Sequence, residues 1–311
     1  MPGTPFVGKR ALVTGATGFI GFALRQRLVD LGAEVHGVSR RKPAKSNGIP
    51  THWWTADLAD EQAAHRILSE LQPDVVFHLA SHVSGDRSLT AVRSTLRDGL
   101  FTTVNLLTAA CESGHPRVVI AGSMEECLPG DPDGVPGSPY AAAKTAVATY
   151  GRMFHALYGL PVVHLRVFMV YGPGPQDVSK LVPYVIRCLL RGEPAVLSSG
   201  TREIDWIYID DVVDAFVAAA ASVPAVGSAI DVGSGSLVTI RALVEQLARL
   251  VDSGAAPQFG ARADRPMEVR RVADLAPARD LLGWTPATHL NAGLRRTVDW
   301  FRDHPHSQVD D

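Results

Sequence analysis

The 311-residue sequence is poor in cysteine, and this scarcity excludes two classes of small-domain architecture. It contains only Cys111, Cys127 and Cys188, with no CxxC pair. An odd number of scattered cysteines indicates neither a disulfide framework nor a zinc site, and the histidines show no ligand spacing either. We therefore expect no metal centre.

The sequence also lacks a strong excess of charge and any long apolar run. Its formal net charge is −2, which gives no bulk attraction to nucleic acid or to an anionic membrane. The N-terminal sequence MPGTPFVGKRALVTG has no basic segment followed by an apolar one, and no apolar stretch is long enough to span a bilayer. We expect a cytoplasmic protein that binds neither nucleic acid nor membrane and recognises any phosphate locally.

Short β-rich segments alternate with helical patterns through the first half of the chain. Many of the strands are continuous apolar runs, which is typical of a parallel sheet covered by helices on both faces. Strands are predicted over residues 11–14, 34–38, 52–54, 74–80, 117–122 and 161–167. Helices are predicted over residues 19–31, 60–71, a long segment ending near 113, and 140–158.

The alternation changes at the sequence YGPGP (171–175), where glycine and proline mark a break. We predict a first domain over 1–171 and a smaller C-terminal α/β lobe over 172–311, with a cleft between them. The segment at about 204–234 is expected to return to the first domain. Helical patterns beyond the break cover residues 180–191, the end of 204–221, 240–251, 275–282 and 290–301.

The sequence TGATGFIG (14–21) follows the first predicted strand and opens a helix. Gly15 permits a tight turn, Gly18 allows a pyrophosphate to approach the backbone, and Gly21 lets the helix pack closely on the strand. The helix N-terminus offers free N–H groups and a positive dipole end to phosphates. This strand, loop and helix predict a dinucleotide site.

The end of the second strand predicts which dinucleotide is bound. An acidic residue there would accept hydrogen bonds from the ribose 2′-hydroxyl of NAD, but the chain has Ser39, Arg40 and Arg41. A hydroxyl and two guanidinium groups suit a 2′-phosphate, so NADP is favoured, with NAD as the alternative. Asp57 and Leu58 follow the third strand and are placed to meet the adenine.

The sequence YAAAK puts Tyr140 and Lys144 on one face of a helix. A free phenol titrates near ~10, and a neighbouring ammonium would lower that pKa so that Tyr140 could exchange a proton with a carbonyl oxygen. Lys144 could also hold the nicotinamide ribose. Ser123, at the end of the strand 117–122, would hydrogen-bond the same substrate oxygen.

These motifs together resemble the extended short-chain dehydrogenase/reductase family, and its nucleotide-sugar branch in particular. The resemblance rests on TGATGFIG, DVVFHLA, AGS, PYAAAK, LRVFMVYGPG, DWIYIDDVVDA and ARDLLGWTP, in the family's order along nearly the whole chain. It implies a Rossmann-type doubly wound parallel sheet, a nucleotide-diphosphate-sugar substrate and a homodimer formed through helices of the first domain. The roles given to Ser123, Tyr140 and Lys144 are the family's own.

The resemblance also implies contacts that the glycine pattern alone does not identify. For the dinucleotide they are Gly15, Thr17, Gly18, Phe19, Ile20, Ser39, Arg40, Arg41, Asp57, Leu58, Leu79, Ala80, Ser81, Tyr140 and Lys144. For the sugar nucleotide they are Ser123, Met124, Glu125, Met169, Lys180, Leu181, Arg202 and Arg265. Arg265, in ADRPMEV, matches a family arginine that contacts the substrate diphosphate.

Several positions depart from the family pattern. Gly99 stands near the place of a common asparagine, Cys127 replaces a common tyrosine, and Met169 replaces an asparagine that often meets the substrate. Ile204 stands where an arginine is usual, with Arg202 displaced by two positions. These differences argue against the sugar pocket of a standard galactose epimerase.

The sequence GSMEE resembles the 4-keto-6-deoxy-hexose reductases of the branch. The 4,6-dehydratases carry an acid and a base after the serine or threonine, whereas here Met124 takes the first place and Glu125 the second. The leading hypothesis is therefore NADPH-dependent reduction of a 4-keto-6-deoxy nucleotide sugar, with Tyr140 as proton donor. The alternatives are an NAD-dependent epimerase or 4,6-dehydratase and, more remotely, a non-catalytic dinucleotide sensor. Glu125 and Glu126 could also be solvated loop carboxylates.

Overall fold

The computed structural model describes residues 6–41, 43, 48–83, 85–128, 130, 134–265 and 267–305. Its centre is a seven-stranded, all-parallel sheet in the order β3-β2-β1-β4-β5-β6-β9. The strands in that order are β3 (His52–Thr55), β2 (Glu34–Ser39), β1 (Arg10–Thr14), β4 (Val75–His78), β5 (Arg117–Ser123), β6 (Val162–Val167) and β9 (Ala229–Val232). This confirms the predicted Rossmann-type doubly wound sheet.

Helices cover both faces of the sheet because the strand side chains alternate between two cores. Leu12 and Val76 belong to one core, whereas Val13 and Phe77 point into the other. The helices against the first core are α2 (Glu61–Leu71), α4 (Thr102–Glu112) and α5 (Pro139–Tyr158). Those against the second are α1 (Phe19–Asp30) and α7 (Ile209–Ala221). The strand order reverses between β1 and β4, which opens a crevice at their carboxyl ends.

A second, three-stranded sheet lies outside the main one. It has the order β10-β8-β7 and consists of β7 (Met169–Tyr171), β8 (Glu203–Tyr208) and β10 (Leu237–Thr239). The helices α6 (Leu181–Leu190), α8 (Ile240–Val251) and α9 (Leu290–Asp303) pack around this sheet. The segment 204–234 therefore belongs to both regions, since β8 pairs in the small sheet while α7 and β9 join the first domain. The domain boundary at residue 171 stays a prediction.

Two buried carboxylates attach the C-terminal chain to the rest of the molecule. Asp205, which is fully buried, accepts hydrogen bonds from the backbone N–H groups of Ser234, Gly235 and Ala273. Asp211 accepts from Ala287 and Thr288 in the same way. These bonds hold segments that follow β9 and α8 against β8 and α7.

The long helix predicted to end near residue 113 differs most from its prediction. It is divided into α3 (Leu89–Thr95), a π-helical turn over Leu96–Phe101, and α4. Gly99 lies in that turn, and a Cβ built there would stand 3.4 Å from the Ala143 Cβ of α5. The π-helical turn is wider than an α-helical turn, and it lies where this helix packs against α5. Such turns are frequent near functional sites. The strand predicted over 74–80 is also shorter and ends at His78.

Among the residues that the structure describes, no helix has both the length and the apolar character that crossing a membrane requires.

Candidate active site

The glycine loop lies at the crevice between β1 and β4. Gly15 has a φ of +63°, and a Cβ there would come within 2.8 Å of the Ala80 backbone nitrogen. A Cβ on Gly21 would stand 2.2 Å from the Gly15 oxygen, so this position accepts only glycine. Gly18 is the N-cap of α1, and the N–H groups of the first helical turn face the crevice. This backbone fits a dinucleotide pyrophosphate.

A buried polar chain fixes the ends of β1 and β4 behind the loop. The Thr14 hydroxyl accepts hydrogen bonds from the N–H groups of Leu79 and Ala80, at 3.2 and 3.1 Å. Its oxygen lies 2.8 Å from Nδ1 of His78, and Nε2 of His78 lies 2.9 Å from the Thr103 hydroxyl. Burial, with the charge of Lys144, lowers the pKa of His78 to about 3, so the ring is neutral.

The hydrogen bonds assign the tautomer of that ring. Thr103 donates its hydroxyl proton to the Gly99 carbonyl at 2.7 Å, so Nε2 of His78 must be the donor to Thr103. Nδ1 then accepts from Thr14. The chain therefore connects the dinucleotide loop to the π-helical turn that faces the catalytic helix.

Arg25 stabilises the glycine loop, and the sequence motifs did not identify it. It is 3% exposed, donates from Nε to the Ala16 carbonyl at 2.8 Å, and stacks over the Trp53 ring at 4.9 Å. Burial lowers its pKa to about 10, at which it still carries its charge near neutral pH. Its place on an apolar helix face, just after the glycine loop, is the sequence feature that could have identified it.

In the folded structure, more acidic residues surround the end of β2 than its own sequence contains. Arg40 pairs with Asp98 at 3.2 Å, and Arg97 pairs with both Asp98 and Asp57. Burial alone would raise the pKa of Asp57, but hydrogen bonds from Arg97 and the Ala59 N–H, with the charges of Arg97 and Arg40, lower it. Arg97 and Asp98 lie in the π-helical turn, so the adenosine end combines groups from β2, the loop after β3 and that turn.

The three predicted catalytic residues converge at the carboxyl end of β5. Ser123 ends that strand, and Tyr140 and Lys144 lie on the first turns of α5. Ser138 caps the helix by accepting from the Ala141 N–H at 3.1 Å, and Pro139 follows at its first position. Ser123 and Tyr140 are hydrogen-bonded through their side chains, and Lys144 Nζ stands 5.8 Å from the Tyr140 ring centre.

The electrostatics differ from the prediction that Lys144 lowers the pKa of Tyr140. Burial raises the pKa of the phenol, the hydrogen bond from Ser123 counteracts this, and the charges of Glu125 and Glu126 raise it further. Lys144 donates to the Ala121 carbonyl at 2.6 Å, and burial lowers its own pKa to about 8 despite the nearby Glu126. The prediction that the Lys144 ammonium lowers the pKa of Tyr140 was therefore wrong, because both groups are desolvated and carboxylates surround them.

The two residues after Ser123 have different surroundings. Met124 is 3% exposed and packs in the hydrophobic core, which does not fit the sugar contact expected for it. Glu125 is half-buried, donates its N–H to the Ser123 hydroxyl at 3.2 Å, and accepts from Ser138 at 3.4 Å. Glu125 therefore belongs to the site, whereas Met124 supports it from behind.

Glu126 is buried, so it is not the solvated loop carboxylate that the sequence left open. It is 2% exposed, lies 3.0 Å from Nε2 of His164 on β6, and accepts from the Ser123 N–H at 2.7 Å. Arg271, from the C-terminal chain, donates to the carbonyls of Met124 and Glu126 at 2.8 and 3.0 Å. The turn after Ser123 is therefore fixed from two sides.

The residues expected to hold the sugar nucleotide are more dispersed. Met169 and Leu181 are half-buried, and Lys180 is exposed at the N-cap of α6. Arg202 pairs with Glu268 at 3.0 Å, so its charge is already compensated. Arg265 is exposed and reaches Gly85, where a Cβ would stand 2.6 Å from its Nη1. Its guanidinium thus lies against the loop after β4, at the cleft side of the molecule.

These features define an extended short-chain dehydrogenase/reductase, a class of enzyme that carries out oxidoreduction on a nicotinamide dinucleotide. More narrowly, the chain belongs to the NAD-dependent epimerase/dehydratase family, whose model matches residues 11–233. The sequence-based family assignment is confirmed.

Similar proteins cover almost the whole chain. A UDP-glucose 4-epimerase of Mycolicibacterium smegmatis is 33% identical over 94% of this chain and 99% of its own length. A dTDP-glucose 4,6-dehydratase of Xanthomonas campestris pv. campestris is 30% identical over 93% and 92%. The structure of a Thermus thermophilus UDP-glucose 4-epimerase in complex with NAD superposes with a TM-score of 0.84 at 29% identity, covering 95% of this chain and 99% of that one.

Proposed function

We propose that this enzyme transfers hydride between a nicotinamide dinucleotide and C4 of a nucleoside-diphosphate sugar, and that it acts as a 4-ketoreductase. The proposal is carried by one observation: among the residues that the structure describes after Ser123, Glu125 is a half-buried carboxylate beside Ser123 and Tyr140, whereas Glu126 is buried against His164. A 4,6-dehydratase must remove water with a separate acid and base, and the buried Met124 takes the place of one of them. A reduction needs only one proton donor.

Ser123, Tyr140 and Lys144 have separate roles in the proposed reaction. Ser123 hydrogen-bonds the C4 oxygen of the sugar and Tyr140 gives that oxygen its proton. Burial raises the pKa of Tyr140, so the phenol carries the proton that the reducing direction requires. When bound, the reduced dinucleotide supplies the hydride. Lys144 would hold the nicotinamide ribose.

We propose NADP(H) as the preferred dinucleotide, although a similar epimerase has been solved with NAD. Arg40 lies at the end of β2 with an exposed side chain, beside Asp98 at 3.2 Å. A guanidinium group in this position suits a ribose 2′-phosphate, which can compete with the carboxylate for it.

The direct test follows a labelled hydride. The purified enzyme is incubated with NADPH deuterated at the transferred nicotinamide position and with a dTDP-4-keto-6-deoxyhexose. We expect loss of absorbance at the nicotinamide wavelength and deuterium at C4 of the product by NMR. Unchanged NADPH with a converted sugar, or deuterium at another carbon, would contradict the proposal.

A second candidate is a 4-epimerase, favoured by the 33% identity to the Mycolicibacterium smegmatis enzyme. An epimerase oxidises and then reduces the same C4 carbon, so it returns its dinucleotide unchanged. It would interconvert UDP-glucose and UDP-galactose without added reductant. Incubation of the enzyme with UDP-glucose alone separates the two candidates.

We also propose a homodimer built from α3 and α5. Leu89, Val92 and Leu96 lie on one face of α3 and the following turn, and they are 91%, 43% and 39% exposed. Tyr150 and Leu157 form a similar exposed face on α5, which packs beside α3. Exposed apolar faces on two neighbouring helices are the kind of surface that a symmetric dimer buries.

A further inference from the structure

Glu126 and His164 form a buried pair directly behind the catalytic serine. Both carboxylate oxygens of Glu126 lie 3.0 Å from Nε2 of His164, and the two side chains are 2% and 3% exposed. Burying two polar groups of this kind is costly, and apolar residues of similar size would pack there at less cost. Both side chains are buried, so the proposed reaction does not use them directly.

The surrounding backbone is adapted to the pair. A Cβ on Gly122 would stand 2.2 Å from Nε2 of His164 and 2.4 Å from Oε1 of Glu126, so a larger residue before Ser123 would displace both. Nδ1 of His164 is buried and has no partner among the residues that the structure describes. An unpaired lone pair costs less there than an unpaired N–H, which fits a ring that donates from Nε2 to the carboxylate.

We propose that Glu126 is a positioning residue for Ser123, that His164 holds its carboxylate in place, and that the pair also supplies the negative charge next to Lys144. The inference rests on the proposed roles of Ser123, Tyr140 and Lys144. It concerns how this chain sets up those residues, whichever sugar is reduced.

Two independent contacts support the positioning role. The Ser123 N–H donates to Glu126 Oε1 at 2.7 Å, which fixes the peptide that carries the serine. Arg271 binds the Met124 and Glu126 carbonyls on the other side of the same turn. The Ser123 side chain is therefore held between the main sheet and the C-terminal chain.

The charge of Glu126 acts on the catalytic pair. It opposes the effect of burial on Lys144, keeping the pKa of that ammonium higher than burial alone would leave it, and it adds to the raised pKa of Tyr140. Other ionisable groups bear on the same region from every neighbouring element. They are His78 from β4, Glu125 from the turn, His164 and Arg166 from β6, Asp231 from β9 and Arg271 from the C-terminal chain.

The first test removes the charge and keeps the shape. Glu126→Gln retains an oxygen that accepts from Ser123, but it carries no charge. We expect kcat to fall about tenfold with KM little changed, because the reacting groups are displaced while the binding surface is intact. Dinucleotide binding, measured by calorimetry between pH 6 and 9, should lose affinity at a lower pH than in the wild type, because Lys144 deprotonates earlier.

Glu34→Gln is the matched control. Glu34 lies 2.9 Å from His36 at the start of β2, the end of the sheet away from the site. This variant also removes the carboxylate of a glutamate–histidine pair, and it should leave kcat and the binding midpoint at wild-type values. Lys144→Met, which should abolish the pH dependence of dinucleotide binding, assigns the midpoint to Lys144.

A double variant separates positioning from stability. Glu126→Met with His164→Leu replaces the pair by apolar side chains, and we expect a Tm close to that of the wild type, because removal of the buried polar pair offsets the loss of the acceptor for the Ser123 N–H. The same variant should show the lowered kcat and the lowered binding midpoint of Glu126→Gln. A stable double variant with wild-type kcat and midpoint would overturn the inference.

The calorimetric readout keeps this inference distinct from the proposed function. If no 4-keto sugar is reduced and the binding midpoint of Glu126→Gln still moves to lower pH, the proposed reaction fails and the role of the pair stands. If the wild type reduces the keto sugar and the midpoint of Glu126→Gln is unchanged, the role of the pair fails.

Discussion

At the scale of single residues, burial is the main influence on the catalytic groups. The pKa of Lys144 is lowered to about 8 and that of Tyr140 is raised, and desolvation is the largest cause in both cases. The Tyr140 phenol therefore keeps its proton to a higher pH than a free tyrosine, and Lys144 loses its proton at a lower pH than a free lysine. An oxidised nicotinamide would add a positive charge and favour the phenolate, so reduction and oxidation should have different pH optima.

The titration of Lys144 predicts a pH limit on cofactor binding. The ammonium is present below its pKa of about 8 and is lost above it. Dinucleotide affinity should therefore be constant at pH 6 to 7 and weaken as the pH rises through about 8. Fluorescence titration of the reduced dinucleotide across this range measures it. Affinity that stays constant to pH 10 would contradict the role given to Lys144.

Arg40 predicts the choice of dinucleotide. Its guanidinium is exposed and lies beside Asp98 at the end of β2, where a 2′-phosphate would compete for it. Arg40→Ala should weaken NADPH binding by about tenfold or more and NADH binding by less than twofold, since only the former loses a charge-assisted contact. Arg66→Ala, an exposed arginine on α2, should change neither. Equal losses for both dinucleotides would favour NAD.

At the scale of elements, the glycine loop is determined by the contacts of its backbone. Gly21→Ala would put a Cβ 2.2 Å from the Gly15 oxygen, and neither atom belongs to a flexible side chain. We expect a loss of at least about 2 kcal/mol in the free energy of unfolding and no measurable dinucleotide binding. Gly254→Ala is the control, because nothing lies within 4 Å of its Cβ and only its φ of +77° is unfavourable. That control should cost about 1 kcal/mol and bind normally.

The elements that the sequence predicted best are those with a local signal. The apolar strand 117–122 and the helix 140–158 agree closely with β5 and α5, because each has continuous apolar or helical periodicity and α5 has a clear cap. The π-helical turn at Leu96–Phe101 carried no such signal, since its form depends on packing against α5. The short strands β7 and β10 pair with β8, far away in sequence, and local patterns do not reveal such pairings.

The candidate site was predictable to the extent that its residues belong to motifs. The spacing of Gly15, Gly18 and Gly21 and of Tyr140 and Lys144 predicted groups that the fold does bring to the same crevice. The burial of Met124 and Glu126 was not predictable, because Met124 joins the core and Glu126 meets His164 only once β6 lies beside β5. The pairing of Arg202 with Glu268 likewise depends on the path of the C-terminal chain.

At the scale of the whole molecule, the exposed apolar faces of α3 and α5 predict self-association. Leu89→Asp with Leu96→Asp places two charges on that face, and the variant should elute as a folded monomer with a Tm at or below that of the dimer. Val223→Asp alters an apolar residue that is 74% exposed after α7 and should leave the dimer intact. Light scattering coupled to gel filtration gives the mass of each. A wild-type protein with the mass of one chain would contradict the proposed dimer.

The cleft between the two lobes combines residues from both ends of the chain. Arg271 binds the turn after Ser123, and Arg265 lies against the loop after β4. The C-terminal chain thus supports the catalytic turn and also borders the proposed nucleotide site.

The proposed reaction depends on protonation of the sugar oxygen by the Tyr140 phenol at the dinucleotide crevice. Single-turnover reduction with Tyr140→Phe measures this step, with NADPH and keto-sugar affinities determined separately. We expect affinities within a fewfold of the wild type and a rate of reduction lowered by about 10² to 10⁴. Reduction by Tyr140→Phe at the wild-type rate would contradict it.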